Sequence, residues 1–262
     1  MRPRLATYVI SGLLLVPALA LSEGHASAAP TCHGVAVTVD LGKGQSATSG
    51  RDVILGTSGD DTIYAMSGDD LVCALGGDDT IVGADGSDRM YGGSGADNIS
   101  ASLGADLLDG GPGNDVLNAS VGKDVIRPGT GNDRIDGGSG AQDRVTYAGH
   151  VRGVQVSLAT RAAQATGAGK DSFIGVEAIT GTAYADTLIG DIDENYFYGG
   201  RGADKLYGGG ENDWLHGDSG NDHLYGGDYA DHLWGGSGSD HLYGGTGSDA
   251  LYGGSGTDYV SQ

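Results

Sequence analysis

Aspartate returns every ninth residue through most of the 262-residue chain. A first run comprises Asp52, Asp61, Asp70, Asp79, Asp88, Asp97, Asp106, Asp115, Asp124 and Asp133. A second comprises Asp186, Asp204, Asp213, Asp222, Asp231, Asp240, Asp249 and Asp258, with Asn195 standing in at one place. A carboxylate beside a glycine-rich turn meets backbone carbonyls that point inward. Such an all-oxygen donor set suits Ca²⁺, which takes about six to eight oxygens in flexible geometry. The formal charge is −21. Acids gathered in blocks would read as a disordered tail, whereas a fixed period reads as a row of cation sites. Only 14 Lys and Arg accompany them and they form no patch, which argues against nucleic acid as a partner.

The element that positions each aspartate is a nine-residue unit, seen in its most regular form between Gly235 and Val260. Glycine fills the first, second and fourth places, aspartate the sixth and a large apolar residue the eighth. The last three residues alternate outward, inward, outward like a short strand, burying the eighth. The eighth position reads Ile54, Ile63, Val72, Ile81 and Met90 onward in the first run, and Leu188, Phe197, Leu206 and Leu215 onward in the second. Two turn-plus-strand units make one coil of a solenoid, so units two apart stack. The pattern predicts an all-β parallel β-roll. Tyr184, Asp193, Glu211 and Tyr229 replace the fourth-position glycine; non-glycine residues are uncommon at positive φ, so those turns are expected to differ, which puts their ion sites in question.

The stretches GGSGSDHLY (235–243) and GGTGSDALY (244–252) resemble the RTX, or haemolysin-type, calcium-binding nonapeptide G-G-x-G-x-D-x-U-x. The resemblance implies a right-handed parallel β-roll. It also implies Ca²⁺ ions between the turns, held by sixth-position aspartates and backbone carbonyls of repeats two apart. The start APTCHG, followed by relaxed repeats and a cysteine closing one of them, resembles secreted calcium-binding repeat proteins of actinobacteria.

Five segments follow. Residues 1–28 read as a secretory signal, with Arg2 and Arg4 before an apolar stretch and Ala26-Ser27-Ala28 for cleavage. Residues 29–46 form an N-terminal cap, 47–143 the first array, 144–180 a non-repeat β spacer and 181–262 the second array. The spacer resembles one found between RTX arrays. The signal's apolar stretch is short for a membrane anchor, which needs about 20 residues, and no membrane span is expected in the mature chain. Cys32 and Cys73 are the only cysteines, and an exported chain favours a disulfide between them, pinning the cap to the first coils.

Outward positions of the second array are aromatic. Tyr207, Tyr225 and Tyr243 should stack on one face and Tyr198, His216, Trp234 and Tyr252 on the other. Such rows serve either as ladders that stabilise the sheet or as a glycan- or surface-binding stripe. His223 and His241 fall one coil apart, with His232 opposite, as a transition-metal site or as solvated surface groups. No H-E-x-x-H or G-x-S-x-G occurs, and Asp191 to Asn195 opens like an EF-hand loop without its glycine or closing glutamate. A core one side chain wide per repeat and a row of like charges together make folding depend on the cation. The composite expectation is a secreted, non-catalytic protein that folds on extracellular Ca²⁺ and serves adhesion to surface glycans or matrix. Its alternatives are a calcium-gated, toxin-like carrier or effector, or an enzyme with its site on the spacer. Folding is expected to start in the regular repeats at the C-terminal end.

Overall fold

The computed structural model describes residues 31–140 and 142–262, so the expected signal segment lies outside the described residues. Each repeat lays down one short strand, the glycine turn swings the chain to the opposite face, and the next repeat lays down another. Strands therefore pair in parallel with the repeat eighteen residues on: Leu206 with Leu224, and Leu224 with Leu242. One face of the resulting parallel β-roll is a single sheet of twelve strands running from Val39–Asp40 to Ala250–Gly256. The other face is divided into a sheet of eight strands and one of six. Among the described residues the helical content is one 3₁₀ turn, Leu41–Lys43.

Burial explains the strand length. Along Lys205–Gly209 the side chains alternate outward and inward, with Leu206 and Gly208 inward. The inward set is thus wider than the eighth position alone. The sixth-position aspartate and the first-position residue of the next repeat also face the interior. The first position is mostly glycine or alanine, with Ala65, Ala74, Ala101 and Ala119 fully buried there, and Pro128 is buried at the same place. The apolar ladder merges into one core reaching from Val39 to Leu242, so the two arrays form one roll.

The spacer is threaded into that roll. Its strands Arg144–Thr146 and Ala178–Thr180 continue the long sheet, pairing Ile126 with Val145 and Val145 with Ile179. Gln142, at φ 69°, absorbs the residue by which this repeat exceeds nine. On the other face Lys170–Ile174 closes the first sheet, edged by the antiparallel strand Gln164–Ala165. Gln155–Ser157 opens the second sheet beside Thr187–Ile189. Tyr147 and Phe173 fill the core where the repeat pattern lapses.

Cys32 and Cys73 are joined by a disulfide. Cys73 lies on the outer side of the long sheet, and the hairpin of Thr31–Cys32 and Val35–Ala36 covers it together with Val53 and Leu71. These outward positions are apolar because the hairpin excludes water from them. Val39–Asp40 then adds the first strand of the long sheet beside Val53–Leu55.

Candidate metal centre

The sixth-position aspartates form two ladders inside the roll. Each backbone N–H donates to Oδ1 of the aspartate one coil on: Asp70 to Asp88 at 2.9 Å, Asp88 to Asp106 at 2.7 Å, Asp204 to Asp222 at 2.9 Å. One carboxylate oxygen is thereby committed to holding neighbouring coils in register. The other has no partner. Oδ2 is buried and unbonded in Asp70, Asp79, Asp88, Asp97, Asp106, Asp115, Asp124, Asp133 and Asp143, and again in Asp204, Asp213, Asp222, Asp231, Asp240 and Asp249. A buried charged acceptor without a donor is costly. Fifteen in periodic array mark places where the protein alone does not complete the chemistry.

At Asp88, Asp97, Asp115, Asp204, Asp213, Asp222, Asp231 and Asp240 the orphan oxygen and a backbone carbonyl of the next coil both approach a first-position glycine. A Cβ placed on Gly217 would lie 2.5 Å from Asp222 Oδ2 and 2.6 Å from the Gly235 carbonyl oxygen. The first-position glycine thus leaves open a space onto which hard oxygens converge. Among the described residues no point gathers three Asp, Glu, His or Cys side chains, so an ion here would draw its remaining donors from the backbone. That donor set fits Ca²⁺. With no counter-charge from the protein, burial pushes the carboxyls of Asp88, Asp115, Asp124, Asp222 and Asp231 up to about 6. Burial takes Asp133 and Asp204 to about 7, and Asp213 to about 8. Carboxylates in the neighbouring coils add to the rise, and the backbone N–H donors oppose it.

Three expected ligands are engaged otherwise. Thr48 donates its N–H and hydroxyl to Asp52 Oδ2, at 2.7 and 2.9 Å. Thr57 does the same to Asp61, at 2.6 and 3.1 Å. Thr182 donates its N–H to Asp186 Oδ2 at 2.6 Å. The cause lies at the second position of the repeat. Where it is glycine, or Met66, Leu75, Ala84, Ser102, Ser120 or Asp218, φ is positive and the turn is open. A β-branched threonine avoids that region, so Thr48, Thr57 and Thr182 keep negative φ and their N–H groups swing onto the carboxylate. Asp191 behaves alike toward Asn195, at 3.0 Å. These four turns are closed.

The fourth-position substitutions divide accordingly. Tyr184 and Asp193 leave the left-handed region and belong to closed turns, whereas Glu211 and Tyr229 hold φ of 57° and 76° with the orphan oxygens of Asp213 and Asp231 intact. Asp258 sits at the half-exposed last coil, its Oδ1 bonded by Asp240 N–H at 3.1 Å. Asp143 belongs in the set although the extra residue hides it from a count in nines; Asp124 N–H finds its Oδ1 at 2.9 Å. The spacer continues both ladders with Asp171 and Glu177. Asp171 Oδ2 accepts from Thr166 Oγ1 at 2.6 Å and Tyr147 Oη at 3.0 Å, so it too is satisfied by protein donors.

The RTX calcium-binding nonapeptide-repeat model matches eight overlapping segments between residues 46 and 141 and between 172 and 260, more than half of the chain. The chain belongs to the RTX calcium-binding repeat family. The matched segments hold every open turn with an orphan carboxylate except the irregular one at Asp143. No curated protein matches the chain.

The expected aromatic rows are present as stacks. Tyr207, Tyr225 and Tyr243 lie 4.8 and 4.9 Å apart and nearly parallel. Tyr198, His216, Trp234 and Tyr252 form the row on the long sheet. A parallel column, Tyr196, Trp214 and His232, was not singled out from sequence. The ring faces in these columns are turned toward one another, so it is mainly ring edges that meet solvent.

Proposed function

We propose that the protein is an exported, non-catalytic rod whose roll forms when extracellular Ca²⁺ enters the open turns. The observation that carries this is the periodic series of buried, unbonded Oδ2 atoms, several of which converge with a backbone carbonyl of the next coil on a first-position glycine. Asp70 to Asp143 and Asp204 to Asp249 would hold the ions, which supply the positive charge that these oxygens lack. Export is supported by the Cys32–Cys73 bond, a cross-link suited to oxidising compartments. Against a catalytic site on the spacer stands its cleft, about 140 Å³, which is small against the about 300–1,000 Å³ of ordinary ligand pockets. Circular dichroism tests the reading: β content should be high in millimolar Ca²⁺ and collapse in EGTA, and equal spectra would refute it.

Attachment to surface or matrix glycans is the extracellular use we assign to the rod. Stacking leaves Tyr252, 54 % exposed at the end of its column, as the ring best placed to take a sugar face. A glycan array with and without Ca²⁺ should show calcium-dependent binding that Tyr252→Ala abolishes. Binding without calcium, or none, would refute this use.

A further inference from the structure

We propose that His223 and His241 form a binding site for a divalent transition metal such as Zn²⁺, separate from the calcium turns. The two residues are paired in register on adjacent parallel strands, His223–Asp228 and His241–Thr246. Both side chains stand on the outer surface of the six-stranded sheet, while Asp222 and Asp240 beside them face the interior. Their rings meet nearly edge-on, 4.6 Å between centroids at 67°, with the two Nδ1 atoms 3.4 Å apart. His241 also meets Tyr259 edge-on, at 83°, whereas the rings in the columns of Tyr225 and Trp214 and in the row from Tyr198 to Tyr252 lie face to face. Tyr207, Tyr225 and Tyr243, two residues along on the same outer face, stack at 4° and 5°. The histidines instead turn nitrogen toward nitrogen.

That separation is the one a tetrahedral metal requires. Two Zn–N bonds of about 2.0–2.1 Å meeting at the tetrahedral angle place their nitrogens about 3.3–3.4 Å apart. Imidazole nitrogen is a borderline donor that selects Zn²⁺, Cu²⁺ or Ni²⁺, whereas Ca²⁺ takes oxygen. The two sets of sites are therefore orthogonal. Lys205 precedes the pair in its column and Tyr259 follows it, so the protein supplies two ligands and the remaining positions fall to water or to a donor from another molecule. The pair is eighteen residues apart and is brought together by the Asp222-to-Asp240 ladder bond of 2.9 Å, which links the same two coils. Calcium that stabilises these coils would also build the histidine site.

Isothermal titration of ZnCl₂ into protein held in excess CaCl₂, with the fold verified by circular dichroism, tests the site. One Zn²⁺ per chain should bind to the wild type and to His232→Ala. His223→Ala and His241→Ala should each weaken binding at least tenfold with β content unchanged. Because substitution on this outer face spares the core, His223→Asn serves as a second variant if an alanine variant fails to fold. Equal Zn²⁺ binding by wild type and the His223 and His241 variants would overturn the proposal, as would undiminished binding to calcium-free, unfolded chain.

Discussion

Asp213→Asn separates the two jobs of a ladder carboxylate. The substitution keeps Oδ1, which accepts the Asn195 N–H at 2.8 Å, and exchanges only the orphan Oδ2 for an amide. For an ion bound with the about 10⁻⁴–10⁻³ M affinity of extracellular modules, about 10 mM Ca²⁺ is about 10–100 times Kd, so the site contributes about 1.4–2.7 kcal/mol. Asp213→Asn should lose that amount at about 10 mM Ca²⁺ and progressively less as calcium is lowered. At the lowest calcium the sign should turn, because the variant no longer buries a carboxyl that must take up a proton to be neutral, and its amide can donate to the Gly226 carbonyl beside it. Asp52→Asn is the control. It disrupts the bonds from Thr48 to Oδ2, and hydrogen bonds to a charged group are worth about 1.5–3 kcal/mol each at any calcium level. Urea unfolding followed by circular dichroism at about 0.1 and 10 mM Ca²⁺ reads both effects. If the two variants respond to calcium in parallel, the orphan oxygens are not the ligands.

The pH dependence without calcium follows from the raised carboxyls. The roll keeps protons on Asp88, Asp133, Asp204 and Asp213 up to about pH 6–8, whereas the unfolded chain releases them near the ordinary 3.8. The folded state therefore binds more protons across that window, and its stability falls as pH rises through it. Calcium-free protein should gain β structure between about pH 8 and 4.5, and a loss on acidification, read by circular dichroism, would contradict this. Reducing the disulfide opens a loop with a sequence separation of 41 residues, which chain entropy values at about 4 kcal/mol. Hydrogen exchange should then rise at the hairpin and at Val53–Leu55 while the second array stays protected.

The repeat made the roll legible, because each place in the nonapeptide has one local role and shows it many times. Aspartate at the sixth place and Ile, Leu or Val at the eighth announce the ladder and the core. The closed turns were harder to see. They depend on whether one second-position residue adopts positive φ, and Thr48 resembles Ser120 in polarity while differing from it in branching. The signal was present in the threonine itself. The register of the spacer was hidden for a different reason. Val145 pairs with Ile179 thirty-four residues away and Ile135 with Phe173 thirty-eight away, distances that no period announces. The outer hairpin left a fainter trace, in that Leu55 and Cys73 are apolar where the next coils of their column carry Tyr91, Asp109 and Arg127.

The positions of the closed turns bear on where folding begins. They lie at the start of the first array, Asp52 and Asp61, and around the spacer, at Asp171, Asp186 and Asn195. These coils satisfy their carboxyl and amide oxygens with protein donors, so they need no ion to hold their ladder. The regular C-terminal repeats are the opposite case: Asp222, Asp231, Asp240 and Asp249 all carry orphan oxygens, Leu251 is only partly buried and Val260 is 47 % exposed. The spacer is thus the better template, with calcium-dependent coils added from it in both directions. In calcium-free protein, amides of Ala178–Thr180 and Thr187–Ile189 should exchange at least tenfold more slowly than those of His223–Asp228. Thr182→Gly removes the hydroxyl and lets the turn adopt positive φ, which takes the N–H away from Asp186. It should therefore erase that protection without calcium while restoring a folded roll at high calcium, now with Asp186 free to bind an ion. Protection confined to the second array in the wild type, or a Thr182→Gly variant indistinguishable from it, would place the nucleus elsewhere.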